Sequence, residues 1–120
     1  MTGIVFFAST DRESTVSFYR AEFDATIWLE QPDCTILQLD NQLVGFCDRA
    51  EADTDGVITF VKPDRAAVDA VFDRLDDGSI DPPTVNDRYD IYHFYTTDPE
   101  GRSVEVQAFL HETPPVFGRG

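Results

Sequence analysis

A strand, a helix and three further strands occur twice in this sequence, and that duplication constrains the fold more than any other feature. Gly3 to Ala8 (GIVFFA) is a short apolar run of strand type. A helix follows from about Asp11 to Glu22, with Ser9 or Thr10 as its cap. Asp11 and Glu13 fall in its first turn, and Val16, Phe18, Tyr19 and Phe23 are its apolar positions. Three strands come next, at about Ala25–Glu30, Thr35–Leu39 and Leu43–Cys47, with turn residues at Gln31-Pro32-Asp33 and Asp40-Asn41-Gln42. After the polar segment Asp48–Asp55 the pattern restarts. Gly56–Val61 is a strand, and Pro63 stands where a helix would begin. Ala67, Val68, Val71, Phe72 and Leu75 then mark one helical face that ends near Asp77-Gly78. Ser79–Asp90, with Pro82 and Pro83, permits at most an edge strand. The spacing repeats as well as the order: Ile4 lies seven residues before Asp11, and Val57 seven before Asp64.

The second copy closes on the most informative stretch, Ile91–Phe109 (IYHFYTTDPEGRSVEVQAF). Asp98-Pro99-Glu100-Gly101 has turn chemistry: Asp at the first position, Pro presetting φ at the second, Gly at the fourth. Alternation puts Ile91, His93, Tyr95 and Thr97 on one face of the resulting hairpin together with Ser103, Glu105 and Gln107. Phe94, Val104, Val106 and Ala108 share the other face, which reads as core. His93, Tyr95, Glu105 and Gln107 therefore converge. A mid-strand carboxylate is costly to bury without a partner, and Arg88 or Arg102 is the expected one.

These elements predict an α+β fold of two βαβββ modules, each a curved mixed sheet with one main helix. The modules span residues 3–48 and 56–109 with a linker at 49–55, forming a single domain over 1–110, and 111–120 is an extended tail. A unit of this kind does not easily cover both faces of its own sheet, so the two are expected to pair. At 120 residues the chain suits one domain.

Charge narrows the function. The chain holds 23 acidic against 9 basic residues, a net −14, with Lys62 its single lysine. The acidic residues are scattered along the chain, which suits a solvated surface adapted to high salt, where counterions screen self-repulsion. Such a surface repels nucleic acid and anionic membranes, and no basic patch opposes that. The N-terminus has no basic lead and only a short apolar run, so a cytoplasmic, reduced protein is expected. Two-residue connection at Asp40-Asn41 would set Cys34 opposite Cys47; a reducing compartment would leave them as two inert buried thiols.

Two segments, TDRESTVSFYRAEF and DPEGRSVEV, resemble the vicinal oxygen chelate superfamily, the group of glyoxalases, bleomycin-resistance proteins and extradiol dioxygenases. In the family's metal-dependent members the resemblance implies four ligand places, on the first and last strands of each module. Here they fall on Ile4, about Gly45, Val57 and Glu105, and only Glu105 can bind a metal, so no metal cofactor is expected. Tyr95 lies ten residues before Glu105, the spacing at which the dioxygenases carry a catalytic tyrosine.

The resemblance implies a metal-free protein that binds a small organic ligand in a sheet-lined cup, similar to the bleomycin-resistance proteins, which pair as dimers. Glu105, Tyr95, His93 and Gln107 are the expected polar anchors, with Phe6, Trp28 and Phe46 as apolar walls and Arg88 at the rim. The alternative is an enzyme of the same superfamily, a lyase, isomerase or dioxygenase. It would use Glu105 with His93 or Tyr95 as catalytic groups, with or without a divalent metal. A third class, an interaction protein whose dimer surface is its function, fits the same sequence. The ligand's identity is not legible.

Overall fold

Each helix begins at an aspartate placed seven residues after a strand position, and this local chemistry sets the frame of both modules. In the computed structural model, which describes residues 3–115, β1 (Ile4–Ser9) leads to α1 (Arg12–Phe23) and β5 (Val57–Val61) to α2 (Arg65–Leu75). Asp11 is the N-cap of α1, accepting from the Ser14 amide at 3.2 Å, and Asp64 is the N-cap of α2, accepting from the Ala67 amide at 2.9 Å. The caps are thus neither Ser9 nor Thr10, and Pro63 lies before the cap rather than inside the first turn. Ser9 and Thr10 are bypassed because their hydroxyls bind Glu100 instead. The second helix stops at Leu75, short of Asp77-Gly78.

Three strands follow each helix: β2 (Thr26–Glu30), β3 (Cys34–Leu39) and β4 (Gln42–Asp48), then β6 (Thr84–Asn86), β7 (Ile91–Thr97) and β8 (Ser103–Phe109). The two sheets have the same topology, β1-β4-β3-β2 and β5-β8-β7-β6, each mixed because its first strand runs parallel to its last. The expected α+β architecture of two βαβββ modules is present. The Pro-containing stretch supplies only the three-residue edge strand β6. By contact density the described chain divides into two compact units, one holding residues 3–54, Asp98–Gly101 and Pro115, the other Asp55–Thr97 and Arg102–Pro114.

In each unit one sheet face is packed by the helix. Tyr19 of α1 is fully buried and stacks on Phe46 at 5.3 Å, which also stacks on Phe7 at 5.9 Å. In the other unit Phe72 of α2 meets Phe94 edge to face at 5.3 Å, over Val68, Val71, Val104, Val106 and Ala108, all buried. Residues of the opposite faces stay accessible: Phe6 is 50% exposed and Val57 and Tyr95 51% and 52%, and Trp28 on the edge strand β2 is 51% exposed.

The polar segment after β4 is more than a tether. The Arg49 amide donates to the Ser9 carbonyl at 2.9 Å and extends the β1–β4 ladder, while the Asp53 amide donates to the Ala8 carbonyl at 3.0 Å and the Ala8 amide to the Asp53 carboxylate at 2.9 Å, so the free edge of β1 is hydrogen-bonded at Ala8. In the expected tail, residues 111–115 lie outside the strands and helices, and 116–120 lie outside the described residues. No helix among the described residues is long and apolar enough to cross a membrane.

Cys34 and Cys47 are register partners at the end of the β3–β4 ladder and are joined as a disulfide, which corrects the expectation of two free thiols. The turn at Asp40-Asn41 explains the alignment, since it pairs Leu39 with Gln42 and every pair outward to Cys34 and Cys47. Asp40 adopts φ 56°, a left-handed conformation that a short polar side chain tolerates.

The turn between β7 and β8 closes with the Gly101 amide on the Asp98 carbonyl at 3.0 Å, with Gly101 at φ 82°. Its two carboxylates are consumed by the first unit. Asp98 accepts the Tyr19 hydroxyl at 2.9 Å, and Glu100 accepts the Ser9 hydroxyl at 2.5 Å, the Thr15 hydroxyl at 2.8 Å, and the Thr10 amide and hydroxyl at 2.8 and 2.9 Å. Burial pushes the Glu100 carboxyl up, but the donors from Ser9, Thr10 and Thr15 outweigh it and hold it at about 2, below the ordinary 4.5. A depressed carboxylate stabilises fully above its unfolded pKa, and that contribution is lost as pH falls through the folded value. Glu100→Gln is therefore expected to lower stability at pH ~7 by about 1–2 kcal/mol. It should also flatten the loss of stability between pH 4.5 and about 2, as measured by urea unfolding at several pH values.

Candidate functional site

The register of β7 on β8 sets His93 opposite Gln107 and Tyr95 opposite Glu105, and the parallel pairing of β5 adds Thr59 beside Glu105. Because side chains alternate, all five project from the sheet face that α2 does not cover. The ten-residue spacing of Tyr95 and Glu105 is thus the register of one hairpin.

Glu105 is the hub. Its Oε2 lies 2.6 Å from His93 Nδ1, and its Oε1 accepts the Thr59 hydroxyl at 2.9 Å and the Gln107 amide at 3.1 Å. The His93 and Glu105 side chains are only 12% and 9% exposed. Burial first, then the Glu105 charge and a hydrogen bond to its carboxylate, raise the Tyr95 phenol above its ordinary value. The Tyr95 ring stands edge-on to His93 at 5.2 Å. A buried carboxylate normally requires such donors, and here a histidine, a threonine and a glutamine supply them.

The arginines expected as partners are placed elsewhere. Arg88 lies over the Tyr89 ring at 5.6 Å, and its amide donates to the Asn86 side chain at 3.0 Å, within the turn before β7. Arg102 is fully buried. Phe6 and Trp28 belong to the first unit; Phe6 is on the uncovered face of its sheet, opposite Gly45, and Trp28 is exposed at a register shift in β2. Phe46, expected as a wall of the cup, faces the other way. It is fully buried between Tyr19 and Phe7, because the neighbouring Gly45 is the residue on the uncovered face. A Cβ at Gly45 would run into the Phe6 ring, so glycine is what allows that ring to lie across the sheet.

Thr59 is the participant that the sequence reading missed. Its signal was present, since a βαβββ module pairs its first strand with its last and Thr59 is two residues beyond Val57.

The residues present do not fit a divalent cation of the family type. The register sets Phe6 rather than Ile4 beside Gly45, and Thr59 rather than Val57 beside Glu105; Phe6 and Gly45 offer no side-chain donor, the Thr59 hydroxyl donates to Glu105, and His93 Nδ1 and Glu105 Oε2 are directed at each other. Among the described residues no group of three or more His, Cys, Asp or Glu is placed to hold a metal ion. What the cluster offers is a carboxylate-held imidazole. A carboxylate at Nδ1 favours the tautomer with the proton there, leaving Nε2 as an acceptor toward a ligand.

Solved structures with the same architecture put this geometry in context. The lactoylglutathione lyase from Agrobacterium tumefaciens superposes with a TM-score of 0.72 at 22% identity, covering 90% of this chain and 92% of that one. A glyoxalase/bleomycin resistance protein/dioxygenase family enzyme from Burkholderia phytofirmans PsJN gives 0.76 at 16% identity, covering 89% and 97%. The genomically encoded fosfomycin resistance protein from Listeria monocytogenes gives 0.73 at 14%, covering 90% and 92%. The chain has the fold of the vicinal oxygen chelate superfamily. No family profile and no curated protein matches the sequence.

The tautomer is directly measurable. Nitrogen NMR of the His93 ring should report the proton on Nδ1 in the native protein, and Glu105→Gln should shift the population toward the Nε2-protonated form preferred by free imidazole. An unchanged tautomer in that variant would remove the carboxylate's orienting role.

Proposed function

We propose that this protein binds a small organic molecule, without a metal ion, on the uncovered face of the β5-β8-β7-β6 sheet around Glu105. The observation that carries this reading is the convergence of His93, Thr59 and Gln107 on one carboxylate beside the accessible Val57, Val61 and Tyr95. With Glu105 engaged by these donors, the groups that meet a ligand are His93 Nε2 as acceptor and the Tyr95 hydroxyl. The exposed valines supply the apolar contact. Phe6 and Trp28 give the first sheet an apolar surface of its own, and Arg88 is outside the reading because it is engaged with Tyr89. Similarity in fold to glyoxalase and resistance proteins is compatible with small-molecule binding and does not specify a ligand.

The reading extends to a homodimer. Ile27, Trp28 and Leu29 on the edge strand β2 are 41%, 51% and 44% exposed, an apolar edge suited to cover by a second copy. Sedimentation at micromolar concentration tests it.

A thermal-shift screen of aromatic and polar organic compounds, followed by calorimetry, tests ligand binding. A true ligand should raise the melting temperature, and Tyr95→Phe should weaken it about fivefold, the effect of one lost hydrogen bond of about 1 kcal/mol. If hits bind equally well to the His93→Ala and Tyr95→Phe variants, the site lies elsewhere.

The 2.6 Å His93–Glu105 contact favours one alternative, an isomerase or lyase with His93 as general base and Glu105 as its positioning group. In that case Glu105→Gln should cut kcat by about 100-fold or more while circular dichroism stays unchanged. Stoichiometric Zn, Ni, Mn or Fe in protein purified without chelator would overturn the metal-free reading.

A further inference from the structure

The Cys34–Cys47 disulfide lies in the first unit and takes no part in the Glu105 cluster. It joins the last register pair of the β3–β4 ladder, at the end of the hairpin away from its turn. The two cysteines differ in surroundings: Cys47 is 5% exposed, whereas Cys34 is partly exposed. Both line an open hollow of about 490 Å³, whose other walls include Phe6, Gln31, Arg49 and Asp53. Structural disulfides are ordinarily shielded, and exchange requires that a thiolate reach one sulfur along the S–S axis. Here the disulfide forms part of the wall of a cavity large enough for a small molecule. Arg49, an exposed residue, uses one guanidinium nitrogen on the Asp48 carbonyl at 2.6 Å, and its remaining donors can meet a carboxylate.

We propose that this hollow is a thiol–disulfide exchange site for small thiols that carry a carboxylate. The thiolate of the small molecule attacks Sγ of Cys34, the more exposed of the two residues. The Cys34–Cys47 bond breaks, Cys47 leaves as a thiolate and takes a proton from water, and Cys34 remains in a mixed disulfide. A second small thiol, as thiolate, attacks the small molecule's sulfur in that mixed disulfide. Cys34 is then released as a thiolate and takes up a proton. The net result is two thiols oxidised to one small disulfide and the protein reduced by two electrons; the reverse sequence restores the bond. Arg49 holds the carboxylate beside the disulfide and offsets locally the repulsion that a net charge of −14 exerts on an anionic thiol.

The test uses the intact chain with mercaptopropionate, mercaptoethanol and cysteamine, compared at equal thiolate concentration. Alkylation quench and intact mass report reduction, and Trp28 fluorescence reports that the fold persists. Expected is reduction of the folded protein without denaturant, with mercaptopropionate faster than mercaptoethanol. Arg49→Gln should slow mercaptopropionate about three- to fivefold, the scale of one exposed ion pair, and leave mercaptoethanol unchanged. Cys47→Ser incubated with dithiodipropionate should carry one mixed disulfide, located at Cys34 by peptide mass. Reduction only after guanidinium unfolds the chain, or no adduct on folded Cys47→Ser, would overturn the exchange site. Equal effects of Arg49→Gln on mercaptopropionate and mercaptoethanol would overturn the carboxylate preference.

Discussion

One helix can cover only one face of a four-stranded sheet, and everything distinctive about this protein follows from that limit. Each unit spends its single helix on the face formed by the even-numbered residues of its last strand: Val44 and Phe46 under α1, Val104 and Val106 under α2. The odd-numbered residues are left on the other side. In an ordinary two-layer fold such a face would be polar and unremarkable. Here Phe6 and Trp28 in the first unit keep large accessible side chains, as do Val57, Val61 and Tyr95 in the second, whose outward face also carries the carboxylate of Glu105.

The two uncovered faces share a topology and differ in chemistry. Phe6 on β1 pairs with Gly45 on β4, and at the corresponding positions of the other module Thr59 on β5 pairs with Glu105 on β8. The first pairing is an aromatic ring lying over a glycine that a methyl group could not replace without displacing the ring. The second is a carboxylate whose desolvation has to be offset by donors. Three hydrogen bonds from His93, Thr59 and Gln107 accomplish this without a counter-charge from arginine. That difference matters to the proposed function. An arginine salt bridge would have occupied Glu105 with a group that has no acceptor, whereas histidine bound through Nδ1 keeps its second ring nitrogen out of the bond to Glu105.

Much of this was legible in the residues themselves. The apolar periods and the turn residues placed every strand of the βαβββ repeat except β6 to within a residue, β6 being located only to the stretch Ser79–Asp90, and alternation alone grouped His93, Tyr95, Glu105 and Gln107. The Asp40-Asn41 connection was enough to align Cys34 with Cys47. What failed did so for identifiable reasons. Ser9 and Thr10 have good capping side chains, but a distant carboxylate, Glu100, competes for the same hydroxyls. Phe46 was assigned to the cup because hydrophobicity does not indicate direction; its neighbour Gly45 carried that information. Bond formation between the cysteines was judged from the expected compartment rather than from their alignment, and the alignment was the better guide. Arg88 and Arg102 were favoured over His93 as partners of Glu105 on charge, although the hairpin register brings His93 diagonally within reach.

The turn Asp98–Gly101 explains why the segments that carried the family resemblance informed the fold so well and the function so little. One segment contains Phe18-Tyr19 and the other Asp98-Pro99-Glu100-Gly101, and the two meet directly, the Tyr19 hydroxyl on the Asp98 carboxylate and the Ser9, Thr10 and Thr15 donors on Glu100. These residues are committed to holding a turn, with their hydrogen-bonding groups used inside the protein. A group so engaged cannot also select a ligand. Under the proposed function, selection of a ligand is left to outward residues that this turn does not engage, those of β5, β7 and β8 in the second unit. In this chain those positions hold threonine, histidine, tyrosine and glutamate. Two proteins can share the committed turn and differ at all of these positions. Fold similarity at 14–22% identity accordingly carries no information about what the residues around Glu105 would select.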